Sequence, residues 1–333
     1  MTDGDLVLDQ LLAAIRVASQ RPELGWAQPP VALTGGFWAQ MWRIRLTGHQ
    51  DLGGDLVARV MPEPEIAARE TAVQAHLARS GYPTPAVHLA APPSPELGLG
   101  WMLMDHAPGQ PLLAGLSGPG AIVRLPKIAR ALPDQLARHA AALHRIDTTP
   151  LSETMAATDL LTRIGDQAAT INRADLASVT RHLQHNHPSD GPIAICHGDL
   201  HPFNILTHQT GDTILDWSAA QLANPAYDIA FTQLLLKHPP LPAPRPLQPI
   251  IAAAGRALAR RFNKTYNRLA PQPVDDNQLA WFTNLHALRI TTEVATWHAQ
   301  DKLDHHPGHP FLALAPTLTE QLQDRTGIAL TNP

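Results

Sequence analysis

The stretch Ile195-Cys196-His197-Gly198-Asp199-Leu200-His201-Pro202-Phe203-Asn204-Ile205-Leu206, followed by Ile214-Leu215-Asp216-Trp217, decides how this chain is read. A short apolar run enters a polar loop. The chain then forms a hairpin, with Gln209-Thr210-Gly211-Asp212 as its turn. Asp199 and Asn204 can sit at the two ends of the loop, and the hairpin can return Asp216 beside them. Carboxylate and amide oxygens are hard ligands, of the kind that hold Mg²⁺ together with phosphate oxygens. A further carboxylate can orient an acceptor hydroxyl and take its proton. A metal clamp, positioning groups and a base are the parts that phosphoryl transfer requires.

Upstream, Met41–Leu46 and Leu56–Val60 alternate like two strands of a hairpin, and Glu65–Ser80 has the pattern of a helix stopped by Gly81. Ile66, Glu70, Val73 and Leu77 fall on one face of that helix. Glu70 is therefore a carboxylate on an apolar stripe, and burying it unpaired is costly. Arg59, late in the preceding strand, is the best cationic partner, with Arg69 as the alternative. Thr34-Gly35-Gly36-Phe37 precedes the first of these strands, and glycines there let a backbone approach phosphates. Beyond Pro108 the pattern turns helical, with Leu132 to Ile146 on one helical face and further runs near 155–186, 250–268 and 276–300. A strand pair is expected near 205–216.

The chain has 333 residues, which predicts about two domains or lobes. Its formal net charge of −4 argues against a dedicated nucleic-acid binder. The single cysteine, Cys196, excludes an internal disulfide framework and reads as a small core residue. No run reaches the roughly 20 apolar residues of a membrane helix, and the acidic start is unlike a secretory signal. A soluble, cytoplasmic protein is expected, with no nucleic-acid or membrane partner. Asp304-His305-His306-Pro307-Gly308-His309 reads as a solvated loop in preference to a metal site, and Trp281 and Trp297 read as core or pocket wall.

The spacing Asp-x-x-x-x-Asn, with His197 two residues before Asp199, matches the protein-kinase catalytic loop. The fuller form His-Gly-Asp-x-His-x-x-Asn, the following Asp216-Trp217, and Asn224-Pro225-Ala226-Tyr227-Asp228-Ile229-Ala230 more closely resemble the aminoglycoside phosphotransferase/choline kinase superfamily of small-molecule kinases. The resemblance implies an α+β, two-lobed, protein-kinase-like fold. A small β-rich N-lobe, residues 1–104, would bind nucleotide; a larger, mainly helical C-lobe, residues 105–333, would carry the catalytic loop, the metal site and the acceptor-binding helices.

Residue by residue, it implies Asp199 as catalytic base and Asn204 and Asp216 as ligands of Mg²⁺. Gly35, Gly36, Arg59 and Glu70 would serve the ATP phosphates, and the backbone of Asp105, His106 and Ala107 would serve the adenine. His197 and Asp228 would brace the loop, and His201 would either brace it or face the acceptor. Arg59 stands where many members carry Lys. No Asp-Phe-Gly or Ala-Pro-Glu segment follows, which disfavours a protein kinase.

The implied activity is ATP-dependent transfer of the γ-phosphoryl group to a hydroxyl of a small acceptor, an antibiotic or a metabolite. The other reading is a catalytically weak kinase-like protein that binds nucleotide and regulates or scaffolds; the retained Asp199, Asn204 and Asp216 argue against it. From Trp217 onward ten basic side chains face eight acidic ones, so the acceptor region lacks the acidity that polycationic aminoglycosides would call for.

Overall fold

A computed structural model of the chain describes residues 3–33, 39–48, 52, 54–93, 97–113, 121–155, 160–188, 191–239, 245–306 and 308–332. Gly35 and Gly36 lie outside the described residues. The architecture is mixed α+β, and the chain groups into two compact units.

The first unit draws on Met1–Ala114, Thr149–Met155 and Pro202–Ala220. Its centre is a five-stranded antiparallel sheet. The strands run, in spatial order, Val31–Ala32, Gln40–Ile44, Leu56–Met61, Gly100–Asp105 and Val87–Ala91. The expected hairpin is present, with Met41 opposite Arg59 and Ile44 opposite Leu56. Leu56–Met61 is buried along its whole length, as a central strand covered on both faces must be. Helix α1 (Asp3–Ser19) packs Leu11 and Ile15 into a core with Ile44, Trp101 and Leu103. Helix α2 (Pro64–Arg79) starts with Pro64 in its first turn and packs on the central strands through Ala67, Val73 and Leu77. The late hairpin Ile205–His208/Gly211–Ile214 also belongs here. The Ile214 amide donates to the Pro83 carbonyl at 2.7 Å, the Trp217 indole donates to Thr84 at 2.9 Å, and Gln110–Pro111 adds a third strand.

The second unit draws on Gly115–Thr148, Ala156–His201 and Gln221–Pro333. Its helices are α3 (Ala121–Leu143), α4 (Leu160–Thr170), α5 (Ala174–His185), α6 (Ala226–Lys237), α7 (Gln248–Leu269), α8 (Asp276–Ala299) and α9 (Pro310–Thr326). The helical run expected near 155–186 is two helices, because Asn172 takes a left-handed φ of 55° between them. Asp275 caps α8 by accepting the amides of Asn277 and Gln278. At Gly255 a Cβ would strike the Leu236 carbonyl, so α6 and α7 cross backbone against backbone. Ala194–Cys196 pairs with Gln221–Ala223, a two-stranded element whose second strand lacks a periodicity signal. Among the described residues no helix is long and apolar enough to cross a membrane.

One expectation is corrected here. His306 and His309 are buried, not solvated: His306 stacks on Trp297 with ring centroids 4.3 Å apart, and His309 caps α9 by accepting the Phe311 amide. Gly308, with φ of 72°, lies in the segment that brings His306 and His309 onto an aromatic surface, which sequence spacing does not reveal.

At the foot of α5 the Asp175 carboxylate takes a bidentate bond from Arg173 and accepts the amides of Leu176 and Thr331, tying down the C-terminal tail. Burial raises this carboxyl, but Arg173 and the two amides outweigh it and lower it to about 2. A depressed carboxylate stabilises the fold above its unfolded value and loses that contribution as pH falls through the folded value. Asp175→Asn is expected to cost about 1–2 kcal/mol near neutrality. In thermal melts its deficit relative to the parent should shrink as pH falls from 4 towards 2.

Candidate active site

In the first unit, Arg59 rises from a central strand and Glu70 points at it from α2. Arg59 Nε lies 3.0 Å from Glu70 Oε1, and a terminal nitrogen of the same guanidinium lies 3.1 Å from Asp216 Oδ1. Arg59 is 5 % exposed and Glu70 1 % exposed, so this is a buried relay and not a surface pair. Arg69, the alternative partner, points away and donates to the Ser218 carbonyl. Burial pushes the Glu70 carboxyl up to about 7, against the pull of Arg59; the Asp216 charge adds to the rise. Burial alone would lower Arg59, but the two carboxylates together hold it above its ordinary value.

The hairpin explains how Asp216 arrives there. Ile205 pairs with Ile214, and the Leu215 amide donates to the Asn204 carbonyl at 2.9 Å, so Asn204 and Asp216 flank the same end of the ladder. Asn204 ends the single 3₁₀ turn Pro202–Asn204. Asp216 has φ of 64°, a left-handed conformation that aspartate tolerates better than most residues. Its Oδ1 also accepts the Ser218 hydroxyl at 2.7 Å. Asn204 and Asp216 thus offer amide and carboxylate oxygens, a donor set that fits a hard divalent cation.

Asp105 and His106 spend their amide hydrogens inside the unit, on the carbonyls of Ala86 and Asp55. His88 also lies 2.6 Å from the Asp105 carboxylate. Of the three residues expected to meet adenine, only Ala107 keeps an amide outside these bonds.

Asp199 belongs to the second unit, the boundary falling between His201 and Pro202. Its loop is held by one buried carboxylate. Asp228 Oδ2 accepts the His197 amide at 2.8 Å and faces His144 Nε2 at 3.1 Å, while Oδ1 accepts the Gly198 amide at 2.7 Å. His144 in turn meets the Tyr266 hydroxyl at 2.7 Å. Gly198 carries φ of 76°, which a side chain at that position would strain. The buried His197 ring accepts the Asp199 amide, the bracing role expected of it. His201 Nε2 stands 3.3 Å from Asp199 Oδ2. Burial raises the Asp199 carboxyl, but His201, with His197 and Arg289 behind it, outweighs burial and holds it below its ordinary value.

Arg289 was not visible from sequence. It sits on α8, donates to the Tyr227 hydroxyl at 3.1 Å, reaches the Gly198 carbonyl at 3.5 Å and lies 5.0 Å above the Phe231 ring. Nothing local marks it; only the fold brings residue 289 to residue 198. Cys196 and Trp281 are core residues, as is Trp297.

Asp228→Asn would set an amide NH₂ against groups that now donate, leaving buried donors unpaired. A loss of about 2–4 kcal/mol is expected, measurable as a lowered denaturant midpoint with an unchanged m-value.

The chain matches the model of the phosphotransferase enzyme family over residues 31–271. No curated protein sequence matches it. Among solved structures, a putative aminoglycoside phosphotransferase from Ralstonia eutropha JMP134 superposes with a TM-score of 0.65 at 18% identity, covering 96% of this chain and 95% of the other. An amicoumacin kinase in complex with AMP-PNP, Ca²⁺ and Ami gives 0.60 at 15% identity, covering 98% and 97%. A choline/ethanolamine kinase family protein from Mesorhizobium loti gives 0.58 at 17%, covering 96% and 94%. These similarities establish a shared fold.

Proposed function

Because the chain belongs to the phosphotransferase enzyme family, within the aminoglycoside phosphotransferase/choline kinase superfamily, we propose that it transfers the γ-phosphoryl group of ATP to a hydroxyl of a small acceptor. The observation that carries this reading is the Glu70–Arg59–Asp216 relay, which holds a buried cation against a carboxylate at the end of a hairpin that also carries Asn204. The amicoumacin kinase complex, with its nucleotide analogue and divalent cation, supports the same assignment of cofactors.

Asn204 and Asp216 would hold Mg²⁺, which supplies charge neutralisation at the phosphates when bound. Arg59, fixed by Glu70, places its guanidinium toward the nucleotide phosphates, where its charge survives at any working pH. Gly35 and Gly36 would let the backbone approach the phosphates. Ala107 donates its amide to the adenine edge, with Asp105 and His106 contributing backbone carbonyls. Asp199 orients the acceptor hydroxyl and receives its proton; its lowered carboxyl keeps it ionised for that task. His201 positions Asp199, and Arg289 supports the loop backbone beneath it. Residues 1–104 are assigned to the nucleotide and residues 105–333 to catalysis and acceptor. The acceptor is a neutral or weakly charged hydroxyl compound, consistent with the charge balance beyond Trp217, and the protein works in the cytoplasm.

The test is ADP release from Mg²⁺-ATP over a panel of hydroxyl compounds. An acceptor raising release above background is expected. Asp199→Ala should cut that acceptor-dependent rate by roughly 10²–10⁴-fold while nucleotide affinity is retained. Chelation of divalent cations should abolish turnover, and added Mg²⁺ should restore it. Background release with every acceptor, alongside tight nucleotide binding, would instead favour the regulatory reading.

A further inference from the structure

At the far end of α6 from the catalytic loop, the second unit carries two neighbouring open pockets of about 460 and 260 Å³, with Lys237 half-buried and Arg256 and Arg325 exposed at their rims. The larger lies among α6, α8 and α9, the smaller among α6, α7 and α9. Lys237 and Arg325 line both. His238 and Arg256 join them on the smaller cavity. Lys237 is nine residues along the helix from Asp228, a rise of about 13 Å, so these cavities are not the site described above.

The electrostatics are unbalanced. Lys237 Nζ donates to Gln233 at 3.0 Å and Arg325 donates to Asn284 at 3.0 Å, both neutral partners. Among the described residues neither cation has a carboxylate within ion-pair distance. Asp276, the acid on the larger cavity, pairs with neither. Burial, and then the charge of Arg325, lower Lys237, and the same influences, with Lys237 added, lower His238. Like charges gathered around a half-enclosed space repel one another, and an anion entering it relieves that repulsion.

We propose that Lys237 and Arg325, with Arg256 beside them, form a second anion-binding site that takes a small phosphate-bearing molecule, separate from the nucleotide site. The guanidinium forks of Arg325 and Arg256 suit pairs of phosphate oxygens, and Lys237, which lines both pockets, supplies a point charge. The cavities are large enough for more than one phosphate group, which makes pyrophosphate a suitable probe. This inference does not rest on the phosphotransferase reading.

Calorimetric titration tests it with two ligands, pyrophosphate and a non-hydrolysable ATP analogue, on the intact chain. Lys237→Gln and Arg325→Gln are each expected to weaken pyrophosphate at least tenfold and to leave the analogue's affinity unchanged. Lys237→Arg, the folded control, should keep most of the pyrophosphate affinity. Equal pyrophosphate affinity in the parent and both charge-removing variants would overturn the proposal. So would absence of binding to the parent at millimolar pyrophosphate, or a parallel loss of analogue affinity that merges the two sites.

Discussion

A guanidinium sealed from water governs the first unit. Arg59 stands between Glu70 and Asp216. Removing the arginine leaves the Glu70 carboxylate buried without its partner, and breaking a buried pair costs about 3–5 kcal/mol. The relay also joins a central strand and the helix that follows it to a hairpin more than a hundred residues later. A lysine could satisfy one carboxylate. The planar fork of arginine reaches both, one through Nε and one through a terminal nitrogen.

The second unit uses the inverse device, a buried anion that collects donors. Asp228 organises the loop around Asp199 through main-chain amides at His197 and Gly198, so the backbone path is imposed without regard to side-chain identity. His144 and Tyr266 extend the network to α3 and α7. A carboxylate this deep stays ionised because its hydrogen bonds and the nearby histidines exceed the cost of burial. The path of this loop is therefore set by charge-assisted hydrogen bonds to Asp228.

Much of this was legible in the chain itself. The Asp199, Asn204 and Asp216 spacing read as a metal-and-base constellation, and the hairpin does put Asn204 and Asp216 at one end of the same ladder. An acid on an apolar helical stripe pointed to Arg59, and Glu70 pairs with it at 3.0 Å. What stayed hidden was long-range. Nothing in the periodicity of α8 marks Arg289 as the residue beneath Gly198, and no local signal docks the late hairpin on Pro83 and Thr84. The histidines near 306 misled for a related reason. Composition suggested a wet loop, but Trp297 offered a flat apolar face that solvent exposure could not compete with.

The left-handed backbone at Asp216 narrows what can replace it. Two filters act on that position together: one reads charge, the other reads torsion. Asparagine passes the torsional filter and fails the electrostatic one, glutamate the reverse, and a β-branched residue fails both. Drift at this site is thus doubly constrained, and a descendant that abandoned the chemistry would leave a recognisable trace, with glycine or asparagine the favoured relics at position 216.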